Sequence, residues 1–284
     1  MIIHPIKTDE KTGIMYRKWE AASPSAVLLL VHGLGAHSAR WEFLAEIFLF
    51  HNISSYAIEL KGCGETPGPK GHIDSFNIYY NDIRSLRDII IRENPGKKIF
   101  LAGESLGGLI VYIFALTNPD LFDGLIALSP AFSNRFKLSV LYSIKVFLPL
   151  LYNPKKQHKM PFTSRMCTHD TTYEKAMDAD HREHRLATSK FLFNLLAAQI
   201  RAGSLKDKGD MHILFLLSGN DEIVDPDASK KVFEKLAARD KKIMQYPDMR
   251  HALSIDTGKE KVAGDILDWV NERCESVGTW PKRL

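Results

Sequence analysis

The sequence is poor in cysteine: Cys63, Cys167 and Cys274 are far apart and odd in number within 284 residues. That excludes a disulfide framework and leaves no paired-cysteine zinc motif. No apolar run approaches the roughly 20 residues a membrane-spanning helix needs. The N-terminus, Met1-Ile2-Ile3-His4-Pro5, lacks a charged-then-apolar leader. Net charge is small, +4 from 38 Lys and Arg against 34 Asp and Glu, too balanced for a nucleic-acid partner. There is no internal repeat and no low-complexity segment. These absences set the expectation of a reducing, cytoplasmic globular protein, with neither metal nor cofactor implied. One absence is local. From Ala131 to His169 there is no Asp or Glu, while Arg135, Lys137, Lys145, Lys155, Lys156, Lys159 and Arg165 all fall there.

What is present alternates between two periodicities. Apolar runs at Val27–Val31, Ser54–Leu60, Lys98–Ala102, Gly124–Ser129, His212–Leu217 and Lys242–Tyr246 read as strands, with a further strand at Gly13–Trp19. Between and after them, Trp41–Phe50, Ile73–Arg92, Gly108–Leu116, Ala228–Ala238 and Gly258–Arg273 read as helices. Strands alternating with helices predict an α/β fold, a mostly parallel central sheet flanked on both faces. From Phe132 to about Lys208 the alternation stops; helical patterns recur with no clear strand. Residues 1–131 and 209–284 are therefore expected to form one core domain, and residues 132–208 a helical cap (lid) inserted over the carboxyl edge of the sheet.

Within that order, Gly103-Glu104-Ser105-Leu106-Gly107 stands between a predicted strand and a predicted helix. A Gly-x-Ser-x-Gly in that context is a nucleophile elbow, in which small flanking residues let strand and helix approach and the serine hydroxyl projects from the sheet edge. Such a serine needs a base and an acid, in the chain order Ser, Asp or Glu, His. Of eleven histidines, only His251 follows the strand ending at Leu217, in a loop just past the last strand. Two acids fit the preceding loop. Asp221 is nearer the strand end, where the backbone is best fixed; Asp225, before Pro226, has the alternative role of capping the next helix. An oxyanion hole requires backbone N–H groups, expected from Leu106 and from Leu34 in the His32-Gly33-Leu34-Gly35 loop. His32, at a strand end, reads as a residue orienting that loop rather than as a base.

His32-Gly33-Leu34-Gly35-Ala36-His37-Ser38-Ala39-Arg40-Trp41, Gly103–Gly108, Gly219-Asn220-Asp221 and the His251 loop resemble the monoacylglycerol lipase and lysophospholipase family of α/β-hydrolases. Ser164-Arg165 and Tyr173–Arg201 resemble that family's cap, so the likeness runs from about Gly13 to Val270. It implies a serine esterase that removes one acyl chain from a glycerol-type lipid, with Ser105, Asp221 and His251 as its triad. Two departures stand out. Ala36 occupies a position that is often acidic, and Glu59-Leu60-Lys61-Gly62-Cys63-Gly64-Glu65-Thr66 replaces a common Asp-x-x-Gly-His-Gly-x-Ser loop.

The apolar run Leu138–Tyr152, set among the basic residues of the insertion, is too short to span a membrane and too apolar for full solvation. It reads either as a cap helix packed on the core, or as an acyl-chain wall with a face for anionic membrane surfaces. Other serine hydrolases on this fold remain open: a short-chain or aryl carboxylesterase, a thioesterase, or an aminopeptidase holding a substrate amine with Asp170, Glu174, Asp178, Asp180 or Glu183. A non-enzymatic ligand-binding member of the fold has no need of a complete triad. Dehalogenase and epoxide-hydrolase chemistry requires a carboxylate where Ser105 stands.

Overall fold

The computed structural model describes residues 4–136, 139–207 and 209–275. Lys137, Leu138 and Lys208, to which the sequence reading assigned parts of the insertion, lie outside the described residues, as do both chain ends.

The core is an eight-stranded sheet. Its strands are β1 (Lys7–Thr8), β2 (Met15–Trp19), β3 (Ala26–Val31), β4 (Ile53–Glu59), β5 (Lys98–Glu104), β6 (Gly124–Leu128), β9 (Ile213–Ser218) and β10 (Lys241–Tyr246). They lie in the order β1-β2-β4-β3-β5-β6-β9-β10. The β1–β2 and β2–β4 pairs are antiparallel and every other pair is parallel. The order reverses beside β3, whose six residues are all buried. Alternate side chains of β3 supply the two layers. Val27, Leu29 and Val31 join the cluster containing Tyr79, Ile83, Leu86 and Ile90 of α2 (Asn77–Glu93), whereas Leu28 and Leu30 join Leu44 and Phe48 of α1 (Glu42–Phe50) and Trp269 of α9 (Lys259–Glu275). Each such aliphatic side chain contributes about 1.5–3 kcal/mol by leaving water, so a fully apolar strand is stable only with helices on both faces.

Several boundaries differ from the sequence reading for local reasons. The carbonyls of Ile73 and Asp74 accept hydrogen bonds from the Asn194 side chain, so α2 begins at Asn77 instead of Ile73. Helix α8 runs Pro226–Glu234, earlier than predicted, because Pro226 takes the first turn and Asp225 caps it. Helix α3 (Leu106–Thr117) starts directly after Ser105 and is buried along nearly its whole circumference.

Between β6 and β9 lie α4 (Val140–Phe147), α5 (Ser164–Cys167), α6 (Thr171–Ala179) and α7 (Ser189–Ser204). The expectation that this stretch holds no strand is corrected. Gln157–Lys159 (β7) and Leu186–Thr188 (β8) pair antiparallel, as a two-stranded sheet too short and too polar to carry an apolar signature. This small sheet is tied to the core. Thr188 N–H donates to Gly71 O, His184 N–H to Gly35 O and His184 Nε2–H to Gly62 O, at 2.8, 3.1 and 3.0 Å. By contrast α4 rests on α7 and buries only Val146.

Candidate active site

The carboxyl ends of β5, β9 and β10 converge on one point. Ser105 is the single residue between β5 and α3, held at φ 57°, ψ −118°. A non-glycine residue at positive φ is strained and persists only where its surroundings enforce it. Here the backbone does so: Ser105 N–H donates to Leu128 O, and its carbonyl accepts from Leu109 and Ala131 N–H. The flanking glycines make the turn sterically possible. A Cβ on Gly107 would lie 2.1 Å from Val31 O, and one on Gly103 would lie 2.5 Å from Gly107 O.

His251 follows β10 in a loop secured from three sides. Met249 O accepts from Ser218 Oγ and Asn220 N–H, Ala252 N–H donates to Cys167 O, and buried Asp256 accepts from the N–H groups of Arg250 and His169 and from Thr168 Oγ1–H. Held this way, His251 Nε2 stands 2.8 Å from Ser105 Oγ and Nδ1 stands 2.8 Å from Asp221 Oδ2. With Asp221 ionised, Nδ1–H donates to the carboxylate and Nε2 accepts from the serine hydroxyl. The other Asp221 oxygen accepts Ile223 and Val224 N–H at 2.8 and 2.9 Å. Burial opposes the charge on Asp221, but His251 and these hydrogen bonds outweigh it and hold the carboxyl below its usual range. Burial likewise opposes protonation of His251, and Asp221 outweighs it, so the imidazole sits above its ordinary value. Of the two candidate acids, only Asp221 meets His251; Asp225 accepts from Asp227 N–H at the start of α8.

Leu34 and Leu106 both line the cavity beside Ser105. Gly33 lets the Leu34 loop close on the serine, since a Cβ there would lie 3.2 Å from Ser105 Cβ. As the first residue of α3, Leu106 has an N–H with no acceptor inside its own helix. His32 orients the loop: Nδ1–H donates to Gly33 O and Nε2 accepts Leu60 N–H. Burial keeps this histidine below its usual pKa, consistent with a neutral ring bonded at both nitrogens. Glu59 accepts Ser38 and Glu65 N–H and so joins two loops at the sheet edge.

A cavity of about 380 Å³ opens over Ser105 and His251. Its long walls are apolar: Val146 and Phe147 of α4, Met160 and Phe162, Phe191, Leu192 and Leu195 of α7, with Ile223 and Val224 opposite. Its charged lining residues are Arg40 and Glu183, which form a largely buried ion pair, and Glu104. Sequence reasoning assigned no role to Arg40, Glu104, Ser254 or Asp256. Arg40 and Glu104 lie inside the His32–Trp41 and Gly103–Gly107 motifs, but nothing in their spacing indicates a partner 143 or 150 residues away.

A family model described as serine aminopeptidase, S33 (Hydrolase_4), matches residues 22–258. The chain belongs to this family of α/β-hydrolases. Among curated relatives, human monoglyceride lipase is 25% identical over 273 residues, covering 93% of this chain and 88% of the relative. Among solved structures, a monoacylglycerol lipase from Paleococcus ferrophilus has 27% identity and a TM-score of 0.79, covering 92% of this chain and 99% of that one. A soluble variant of monoglyceride lipase from Saccharomyces cerevisiae, solved with a substrate analogue, is 19% identical with a TM-score of 0.83, covering 96% of each chain. At that identity the yeast likeness speaks for the fold alone.

Proposed function

We propose that this protein is a serine esterase acting on single-chain acyl lipids of the monoacylglycerol or lysophospholipid type. Ser105 Oγ attacks the ester carbonyl as His251 Nε2 takes its proton, while Leu34 and Leu106 N–H groups hold the oxyanion. Collapse of the tetrahedral intermediate breaks the C–O bond, and His251 returns the proton to the departing alcohol. Water then attacks the acyl-enzyme with His251 as base, releasing the fatty acid and restoring the serine. Asp221 holds the imidazole tautomer and stabilises the imidazolium.

The observation that carries the substrate class is the mainly apolar lining of the cavity over Ser105, which suits an acyl chain, with Arg40 and Glu183 in it paired to each other. The names of the human and Paleococcus ferrophilus relatives agree with it. The family's aminopeptidase description is the second reading, and it needs a carboxylate for a substrate amine. Of the five acids considered, Glu183 alone lines the cavity, and it is already paired with Arg40. Asp170 caps α6, Asp178 holds Ser164 and Arg185, and Asp180 holds Arg182.

Residues 132–208 serve as the cap over this cavity, with a further role at lipid surfaces. Val140, Leu141, Ile144, Leu148, Leu151 and Ile200 are exposed together on α4, the turn after it and α7, flanked by exposed Lys145, Lys155 and Lys159. An apolar face with a basic rim suits reversible contact with anionic bilayers. Among the described residues no helix is long and apolar enough to cross a membrane.

The test is a fluorophosphonate probe together with an ester panel. Labelling of the wild type and none of Ser105→Ala, with preference for long-chain monoacylglycerol or lysophospholipid over acetate esters and aminoacyl amides, supports the proposal. Labelling of the Ser105→Ala chain would overturn the nucleophile, and exclusive cleavage of aminoacyl amides would overturn the substrate class.

A further inference from the structure

The residue before the nucleophile and the third residue after the base are bonded to each other. Glu104, at the end of β5, is 5% exposed. One carboxylate oxygen accepts Ser254 N–H at 2.9 Å and the other accepts Ser254 Oγ–H at 2.8 Å. A buried carboxylate placed beside an elbow serine is costly unless it is hydrogen-bonded. Nothing in the chemistry of acyl transfer uses it directly: the nucleophile, base, acid and oxyanion donors are all supplied by other residues. Both of its acceptor oxygens instead serve the loop that carries His251.

We propose that Glu104 and Ser254 form a positioning clamp that fixes the His251 loop to the backbone of the nucleophile. The inference rests on the reading of Ser105 and His251 as nucleophile and base. Glu104 is covalently adjacent to Ser105, so any movement of the loop relative to the elbow must break two charge-assisted hydrogen bonds. The other ties of this loop run to β9 and the loop after it, through Ser218, Asn220 and Asp221, and to the insertion, through Cys167, Thr168 and His169. Among the described residues, the Ser254 bonds and the Ser105–His251 bond itself are the side-chain links between this loop and the elbow. The clamp therefore sets the Oγ–Nε2 distance independently of substrate.

The same carboxylate has an electrostatic consequence. His251 is faced by Asp221 from the loop after β9, by Glu104 from β5, by Ser105, and by Arg40 from the turn at Ser38–Trp41. Arg40 opposes a charged imidazole, but Glu183 from the insertion is paired with it. Burial raises the Glu104 carboxyl above its usual range, and Ser254 and His251 oppose that rise. Ionised, Glu104 adds to Asp221 in favouring the imidazolium that forms in each half-reaction.

The experiment uses Glu104→Gln, Glu104→Ala and Ser254→Ala, with Ser254→Thr as the conservative control. Each is assayed on a soluble chromogenic ester across pH, and the His251 ring is titrated by NMR. The glutamine removes the charge and keeps an acceptor, so the acid limb of kcat/KM and the NMR midpoint of His251 both move to lower pH. Ser254→Ala and Glu104→Ala lower kcat by about tenfold to a hundredfold, the scale of a small misplacement of reacting groups, with KM unchanged. Ser254→Thr retains most of the wild-type kcat. Should Glu104→Ala fail to fold, the other variants carry the test. A midpoint and acid limb unmoved in Glu104→Gln, with kcat of Ser254→Ala within about twofold of wild type, overturn the clamp. The NMR midpoint needs no turnover. A wild type inactive on every ester therefore overturns the esterase reading, while the midpoint still decides whether Glu104 acts on His251.

Discussion

Asp221 Oδ2 lies 2.8 Å from His251 Nδ1, and the second oxygen of the same carboxylate is occupied by two backbone N–H groups, from Ile223 and Val224. The carboxylate is thereby aimed as well as charged. Asp221→Asn should keep the loop but present an amide to the imidazole and disturb its tautomer, lowering kcat by about three to four orders of magnitude. Asp225→Ala should leave turnover near wild type and cost about 1 kcal/mol of stability through loss of the α8 cap. Steady-state kinetics and urea unfolding on the two variants separate the roles; equal loss of activity in both would contradict the assignment.

The elbow is packed closely against the end of β3. Gly107→Ala would place a methyl group 2.1 Å from Val31 O, where neither backbone has room to move without distorting Ser105. Destabilisation of about 1–3 kcal/mol, the scale of an overpacked core, is expected, together with loss of fluorophosphonate labelling. Thermal unfolding and probe labelling on the same sample provide the check.

Much of this arrangement was legible in the chain, and the pattern of what was not is physical. Ser105, Asp221 and His251 could be chosen because each lies at the end of a strand whose apolar run is visible, so topology alone places them on one edge. The insertion's β7 and β8 were missed because three-residue strands such as Gln157–Lys159 have no periodicity to read. Glu104 was visible as a letter but not as a role, since its partner Ser254 has no sequence signal that distinguishes it from any loop serine. The Arg40–Glu183 pair was hidden for the same reason: the ends of long-range ion pairs are chosen by the fold.

His37 should make the fold sensitive to mild acid. Burial, with Arg182 and Arg40 nearby, pushes its pKa down from 6.5 to about 3 against the pull of Glu59 and Asp180. Asp180 is already held by Arg182, so the neutral ring donates Nε2–H to it at 3.1 Å. The unfolded chain therefore takes up this proton first. The contribution to stability is complete above about pH 6.5 and is lost as pH falls from there towards 3. Denaturant midpoints between pH 7 and pH 4 should decline by an amount equivalent to about 1–3 kcal/mol that His37→Gln largely removes. His32 and His184 share the direction of shift and keep part of the slope in the variant.

The exposed face of α4 and α7 yields a prediction in which binding and catalysis separate. A triple variant, Leu141→Ser, Leu151→Ser and Ile200→Ser, should sediment less with vesicles containing anionic lipid than the wild type does. Turnover of a soluble short-chain ester should be retained, since none of the three lines the cavity. Wild-type sedimentation indifferent to anionic lipid and to salt would remove the membrane reading.

The hydrogen bonds from β8 and His184 to Gly71, Gly35 and Gly62 divide the insertion into two unequal parts. The part carrying β7, β8 and the start of α7 is stitched to the loops of the sheet edge, while α4 packs on α7 and the turn after it and buries one side chain. Exchange of the α4 segment for that of another protein thus leaves these hydrogen bonds between insertion and core in place, yet replaces Tyr142, Val146 and Phe147 on the cavity wall. For this scaffold, the part easiest to transplant is also one that shapes which molecules fit.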